Sequence, residues 1–191
     1  MMSRLAYKLE LKCKLAALGG VVDPVLQTSQ MQLRPMRAQD AEAVAAIYNE
    51  GIRGRNATFR TEEQTAADVA PWVDGADRFP VVVGEREDGT IVGWARAGSY
   101  SDFPPYAGVG ELQIYVTAGA RGSGCGRALV DGLAAAARER GYWKLIAKVF
   151  PENQASVALL HRCGYREVGL YLRHGNLDGD WRDVLLLELS L

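Results

Sequence analysis

Cysteine is scarce in this 191-residue chain: Cys13, Cys125 and Cys163, an odd number without metal-ligand spacing. Neither a disulfide framework nor a metal site is expected from them, and they read as free thiols of a reducing cytoplasm. Charge of one sign is lacking too. Lys plus Arg number 22 against 23 Asp plus Glu, and a net charge of −1 argues against a polyanion such as DNA as the main partner. No apolar run approaches the roughly 20 residues needed to span a bilayer, so a membrane is not an expected partner either. What is present is ordinary for a globular chain. Hydrophobic residues make up 48% and charged ones 24%, which excludes wholesale disorder. The length suits one compact domain with a short appendage.

The first 30 residues stand apart. Arg4, Lys8, Lys12 and Lys14 against Glu10 and Asp23 give them +2, leaving −3 for the remainder. Lys8, Glu10, Lys12 and Lys14 interrupt any apolar core, so a signal peptide is not expected. Leu5, Tyr7, Leu9, Leu11, Cys13 and Leu15 alternate as a strand would, whereas the composition favours a helix. Gly19-Gly20 and Asp23-Pro24 break either. Residues 1–30 read as a dispensable extension, with an added edge strand or partner contact as the alternative. Residues 31–191 form the domain.

Within the domain the periodicities predict the order βααβββαβαββ. Strands are expected at 31–35, 80–87, 90–99, 109–117, 144–150, 165–172 and 184–189. Asp88-Gly89 is a hairpin turn between the second and third. Helices are expected at 40–53, 66–73 with a break at Pro71, the turn after 124 to Arg140, and 153–163. Gly141 ends the third of these. In the strand at 109–117, Leu112, Ile114 and Val116 share one face and Glu111, Gln113 and Tyr115 the other. The fold class is mixed α/β (α+β), with a mostly antiparallel sheet and helices on both faces.

Between that strand and the third helix lies Arg121-Gly-Ser-Gly-Cys-Gly-Arg127. Its three glycines let successive N–H groups turn toward one point, and the helix N-terminus adds partial positive charge, which together suit a diphosphate. The Lys-Ser/Thr pair of a nucleoside-triphosphate loop is missing, and Gly126 comes one place too early for a dinucleotide fingerprint. A tight structural turn is the alternative.

Arg121-x-x-Gly124-x-Gly126 resembles the acetyl-CoA motif of the GCN5-related N-acetyltransferases. Asn153-Gln-Ala-Ser156 and Leu159-Leu-His-Arg-Cys-Gly164-Tyr165 are similar to that family's second half. The resemblance covers about residues 31–190. Asn56-Ala-Thr-Phe59, Gly93-Trp-Ala, Tyr142-Trp-Lys-Leu and His174-Gly-Asn-Leu-Asp-Gly-Asp-Trp181 resemble its phosphinothricin and arsinothricin N-acetyltransferase branch.

The resemblance implies acetyl-CoA as cosubstrate, no metal, a small-molecule amine acceptor and a homodimer. It implies strands splayed after Glu111, with Ile114, Tyr115 and Val116 along the cofactor and the Ile114 and Val116 N–H groups as oxyanion donors. The diphosphate would lie on Gly122, Ser123, Gly124, Cys125, Gly126 and Arg127, with Arg121 adding charge. Asn153 would order the cofactor, although a helix N-cap accounts for it equally. Glu111 occupies the general-base position, the alternative being a salt-bridged carboxylate. Relatives place Tyr or His four residues before the second-half glycine; here that is Leu160, and His161 is offset by about 100° on a helix. Tyr115, Tyr165 and Tyr171 remain as proton donors for the leaving thiolate. Where the branch carries loop arginines this chain has Ser101, Phe103 and Ala107. Phe59, Arg96 and Tyr106 are candidate acceptor-site residues, and Arg53, Arg55 and Arg60 are further cations nearby. Cys125 and Cys163 read as structural rather than nucleophilic.

The expected function is acetylation of an amino acid or amino-acid-like toxin by direct transfer. Another small amine, a protein N-terminus, or an acyl-CoA sensor without turnover are the alternatives.

Overall fold

A computed structural model describes residues 31–191. The expectations for residues 1–30, including Cys13, lie outside the described residues. Seven strands form one sheet in the order β1-β2-β3-β4-β5-β7-β6. They are β1 (Met31–Pro35), β2 (Val81–Arg86), β3 (Ile91–Ser99), β4 (Val109–Val116), β5 (Lys144–Val149), β6 (Arg166–Leu177) and β7 (Asp180–Ser190). Only β4 and β5 run parallel. The helices are α1 (Ala41–Arg53), α2 (Ala66–Val69), α3 (Pro71–Asp74), α4 (Cys125–Glu139) and α5 (Gln154–Arg162). Pro71 opens α3 at its first position, where its missing N–H costs nothing, so the segment 66–74 breaks into two short helices at the expected proline. Among the described residues no helix is long and apolar enough to cross a membrane.

Helices cover both faces of the central strands, while β6 stays largely exposed. On one face Leu129, Val130 and Leu133 of α4 and Leu160 of α5 pack on Leu112, Leu145, Ala147 and Leu187. On the other, Val44, Ile47, Tyr48 and Ile52 of α1 pack on Val81, Val83 and Trp94, with Tyr115 against them. Fully buried leucines such as Leu129 and Leu145 contribute about 1.5–3 kcal/mol each. The face of β4 bearing Glu111, Gln113 and Tyr115 is therefore not wholly polar: Tyr115 is roofed by α1.

Two differences from the sequence reading matter for the site. β6 and β7 extend into one long hairpin through Asp178-Gly179, whose φ values are 52° and 97°. The β4–β5 ladder is short: Val109, Gly110 and Glu111 oppose Lys144, Leu145 and Ile146, and pairing then stops. β5 continues along β7 as far as Val149, while β4 continues along β3 as far as Val116. The two strands part like a V that opens after Glu111.

Candidate active site

The hydrogen-bond phase of β4 determines what fills the V. Thr117 N–H donates to Val92 O of β3. In an antiparallel ladder the N–H and C=O of one residue point the same way and alternate along the strand. Tyr115 and Gln113 therefore face β3, and Ile114 and Val116 turn theirs toward the gap. Consistently, the Val116 carbonyl accepts from Arg121 Nε at 3.2 Å. The Ile114 and Val116 N–H groups thus lie along the open side of β4.

A cavity of about 540 Å³ occupies the V. Strand alternation divides its lining between the two sheet faces. Ile114, Ala147, Val149, Ser156, Leu159 and Leu160 belong to the α4–α5 side. Glu111, Gln113, Tyr115, Lys148 and Phe150 belong to the α1 side, joined by Tyr48 and by Thr58, Phe59 and Arg60 of the loop after α1. The cavity therefore opens between the two faces of the sheet.

The glycine turn lies beyond the α4–α5 side. Gly122 and Gly124 have φ of 77° and 90°, and an added Cβ at either meets no atom within 4 Å. Among the described residues, none of the six N–H groups from Gly122 to Arg127 has a protein acceptor; the first helical bond there is Ala128 N–H to Gly124 O. Six unpaired donors on an open concave turn fit a diphosphate. The Ser123 hydroxyl donates to Ala120 O at 2.7 Å, and Arg127 pairs with Asp131. The turn abuts the cavity through Gly126, whose Cβ would lie 3.0 Å from Leu159 Cδ2. Cys125 points its thiol into the core, where burial pushes its pKa up to about 11, so only its backbone faces the turn.

Asn153 does the two jobs open to a helix-capping amide. Its Oδ1 accepts from Ser156 N–H at 3.2 Å, and its Nδ2 donates to Asn56 O at 3.0 Å, tying α5 to the loop that carries Phe59. Phe59 stacks edge-on against Phe150 at 4.8 Å and forms part of the cavity wall.

The other acceptor-site candidates are placed elsewhere. Arg96 lies under Trp72, 4.3 Å from its ring centroid, in the α1-side core. Tyr106 is exposed, edge-on to Tyr100 in the loop before β4, and does not line the cavity. Neither of these two sequence candidates lines the cavity, and aromatic packing holds each where it stands. Of the tyrosines, Tyr115 lines the cavity, donates to Ala57 O at 3.3 Å, and has its pKa raised by burial. Tyr165 is sealed in the main core, and Tyr171 stacks on His174. Leu160 is a wall residue. His161 points outward to Glu167, as its helical offset predicts.

Three residues escaped the sequence reading. Lys148 Nζ donates to Glu111 Oε2 at 2.7 Å. Glu50 of α1 binds the Thr117 hydroxyl and the Ala118 N–H, clamping the end of β4. His174 reaches the cavity from a bulge in β6, where the pairing skips from Tyr171 to Gly175 and Arg173 takes φ of 49°. Lys148 left one trace, a lone charge in the apolar run Leu145–Phe150.

The Acetyltransferase (GNAT) family model matches residues 44–165. A phosphinothricin N-acetyltransferase of Streptomyces coelicolor is 34% identical, over 86% of this chain and 98% of its own. An L-methionine sulfoximine/L-methionine sulfone acetyltransferase of Pseudomonas paraeruginosa is 28% identical, over 83% and 94%. Among solved structures, a phosphinothricin acetyltransferase from Sinorhizobium meliloti in complex with acetyl-CoA superposes with a TM-score of 0.78 at 28% identity. That match covers 84% of this chain and 88% of the other. The chain belongs to the GNAT acetyltransferase family and is an N-acetyltransferase.

Proposed function

We propose that this enzyme acetylates the amine of a small amino acid or amino-acid-like toxin of the phosphinothricin, arsinothricin or methionine sulfoximine type, using acetyl-CoA and direct transfer. One observation carries the reading: a cavity between the two faces of the sheet, with unpaired backbone donors on one side and a carboxylate on the other. Acetyl-CoA, when bound, supplies an activated acetyl thioester. The N–H groups of Gly122 to Arg127 would hold its diphosphate, and the free edge of β4 would run along its pantetheine arm.

The chain's own groups then have distinct tasks. Ile114 and Val116 N–H face the gap and stabilise an oxygen on which negative charge develops. An amine of pKa roughly 8 or higher arrives protonated at neutral pH, and Glu111 takes that proton, directly or through water. Tyr115, kept protonated by burial, does not serve as a base there. The phosphinothricin and methionine sulfoximine acetyltransferases among the relatives support an amino-acid-like acceptor.

The test is turnover of acetyl-CoA against a panel of amines containing phosphinothricin, methionine sulfoximine and arsinothricin. Acetylation of at least one is expected. Product only with polyamines or with peptide N-termini would move the acceptor class. Cofactor binding without any product would make the protein an acyl-CoA sensor, the reading favoured by Leu160 in the usual acid position.

A further inference from the structure

Two opposite charges face the acceptor end of the cavity and hold each other. Glu111 Oε2 and Lys148 Nζ are 2.7 Å apart, with side chains 26% and 39% exposed, so a ligand there can reach both. The loop before β4 offers no cation and contains Asp102. Arg96 on β3 lies against the Trp72 ring and does not line the cavity. Among the described residues, Arg60 and Lys148 are the permanent cations lining the cavity.

An α-amino acid carries its ammonium and carboxylate one carbon apart, which matches a carboxylate and an ammonium separated by a single hydrogen bond. Arg60 lines the same side from the loop after α1, whereas Lys148 already touches the proposed base. We infer that Lys148 is the specificity residue that receives the acceptor's α-carboxylate. On binding, Lys148 exchanges Glu111 for the substrate carboxylate, and the substrate ammonium takes the place of Lys148 on Glu111. Charge stays balanced throughout, and the same exchange delivers the amine to its base. An amine without a carboxylate displaces Lys148 and leaves it without an acceptor, so the pair discriminates as well as binds. This inference rests on the reading that the acceptor is an amino acid.

The experiment compares wild type, Lys148→Met and Lys148→Arg on two probes. These are L-methionine sulfoximine and 3-(S-methylsulfonimidoyl)propan-1-amine, the same molecule without its carboxylate. A charge-assisted hydrogen bond of this kind sets the expected loss in kcat/KM for the first probe at about ten- to a hundredfold in Lys148→Met, mainly through KM. The second probe should not lose, and should gain by up to a few-fold, because its binding no longer strands the Lys148 ammonium. Lys148→Arg should restore most of the first probe's loss. Met matches the length of a half-exposed lysine stem, and unchanged thermal melting would show that folding is intact. Equal losses on both probes, or none on either, would overturn the role of Lys148 while leaving acetylation standing. So would a wild type that prefers the carboxylate-free amine. A wild type that binds acetyl-CoA yet acetylates neither of these, nor phosphinothricin or arsinothricin, would overturn this role and the proposed function together.

Discussion

The ring of Tyr115 rests against the bare backbone of Gly51: a Cβ built on that glycine would stand 2.4 Å from Tyr115 Cε1 and 2.6 Å from Cδ1. Tyr115 is held there by Tyr48 at 4.7 Å and Trp94 at 4.9 Å, and its other side forms cavity wall. The missing methyl on α1 thus sets how far Tyr115 stands into the cavity.

Gly51→Ala gains up to about 1 kcal/mol of helix propensity but forces the ring to move, and overpacking costs about 1–3 kcal/mol. Net destabilisation is expected, lowering the melting temperature by a few degrees, at about 2–4 °C per kcal/mol for a domain of this size. Because the ring can yield only toward the cavity, the acceptor KM should rise while acetyl-CoA affinity holds. Melting curves with steady-state kinetics check both; a more stable variant with unchanged KM would contradict the packing argument.

Glu111→Gln keeps shape and removes the proton acceptor. The rate near neutral pH should fall about 10²–10⁴-fold, the usual share of a general base. Acetyl-CoA affinity by calorimetry should hardly change. The deficit should narrow as pH rises and more acceptor arrives as free amine. A deficit constant across pH would assign Glu111 to the ion pair with Lys148 alone.

Arg34 and Asp40 form a bidentate pair, 2.6 and 2.8 Å, that pins β1 to the start of α1. The Arg34 guanidinium holds the Asp40 carboxyl below the usual range, and it does the same to Glu85. A carboxyl whose pKa is lower folded than unfolded contributes stability above the unfolded value near 4, and loses it as pH falls toward the folded value. Denaturant unfolding should therefore show stability dropping from pH 5 downward. Asp40→Asn should cost about 3 kcal/mol at neutral pH, because it leaves Arg34 buried and under-paired, and should flatten that acid limb. An acid limb as steep as that of wild type would locate the titrating group elsewhere.

Local signals carried most of the fold. Asp88-Gly89, Pro71 and Gly141 each mark a boundary through backbone chemistry, the alternation in β4 marks its two faces, and the strands follow one another in the expected order. The far half of the β6–β7 hairpin was not legible, because β6 is exposed almost throughout and its apolar residues do not mark a buried face. Nor was the V between β4 and β5, which arises when two strands take different partners. Glu111 and the glycine turn could be read from type and spacing. Lys148, Glu50 and the placement of Arg96 depend on contacts 37, 67 and 24 positions apart in sequence, which no local pattern encodes.

Gly124→Val tests the turn by filling it. At φ of 90° a β-branched residue is strained, and its side chain would project into the open space assigned to the diphosphate. Acetyl-CoA affinity should drop by well over tenfold, while melting falls by only a few degrees, since no protein atom opposes the new Cβ. Retained affinity would place the diphosphate elsewhere.

The most direct measurement is a crystal structure of the protein with coenzyme A bound. The account predicts the diphosphate within hydrogen-bonding distance of N–H groups between Gly122 and Arg127, and the pantetheine arm in the V along Ile114 and Val116. A diphosphate held chiefly by side chains, or an arm lying outside the gap between β4 and β5, would contradict it.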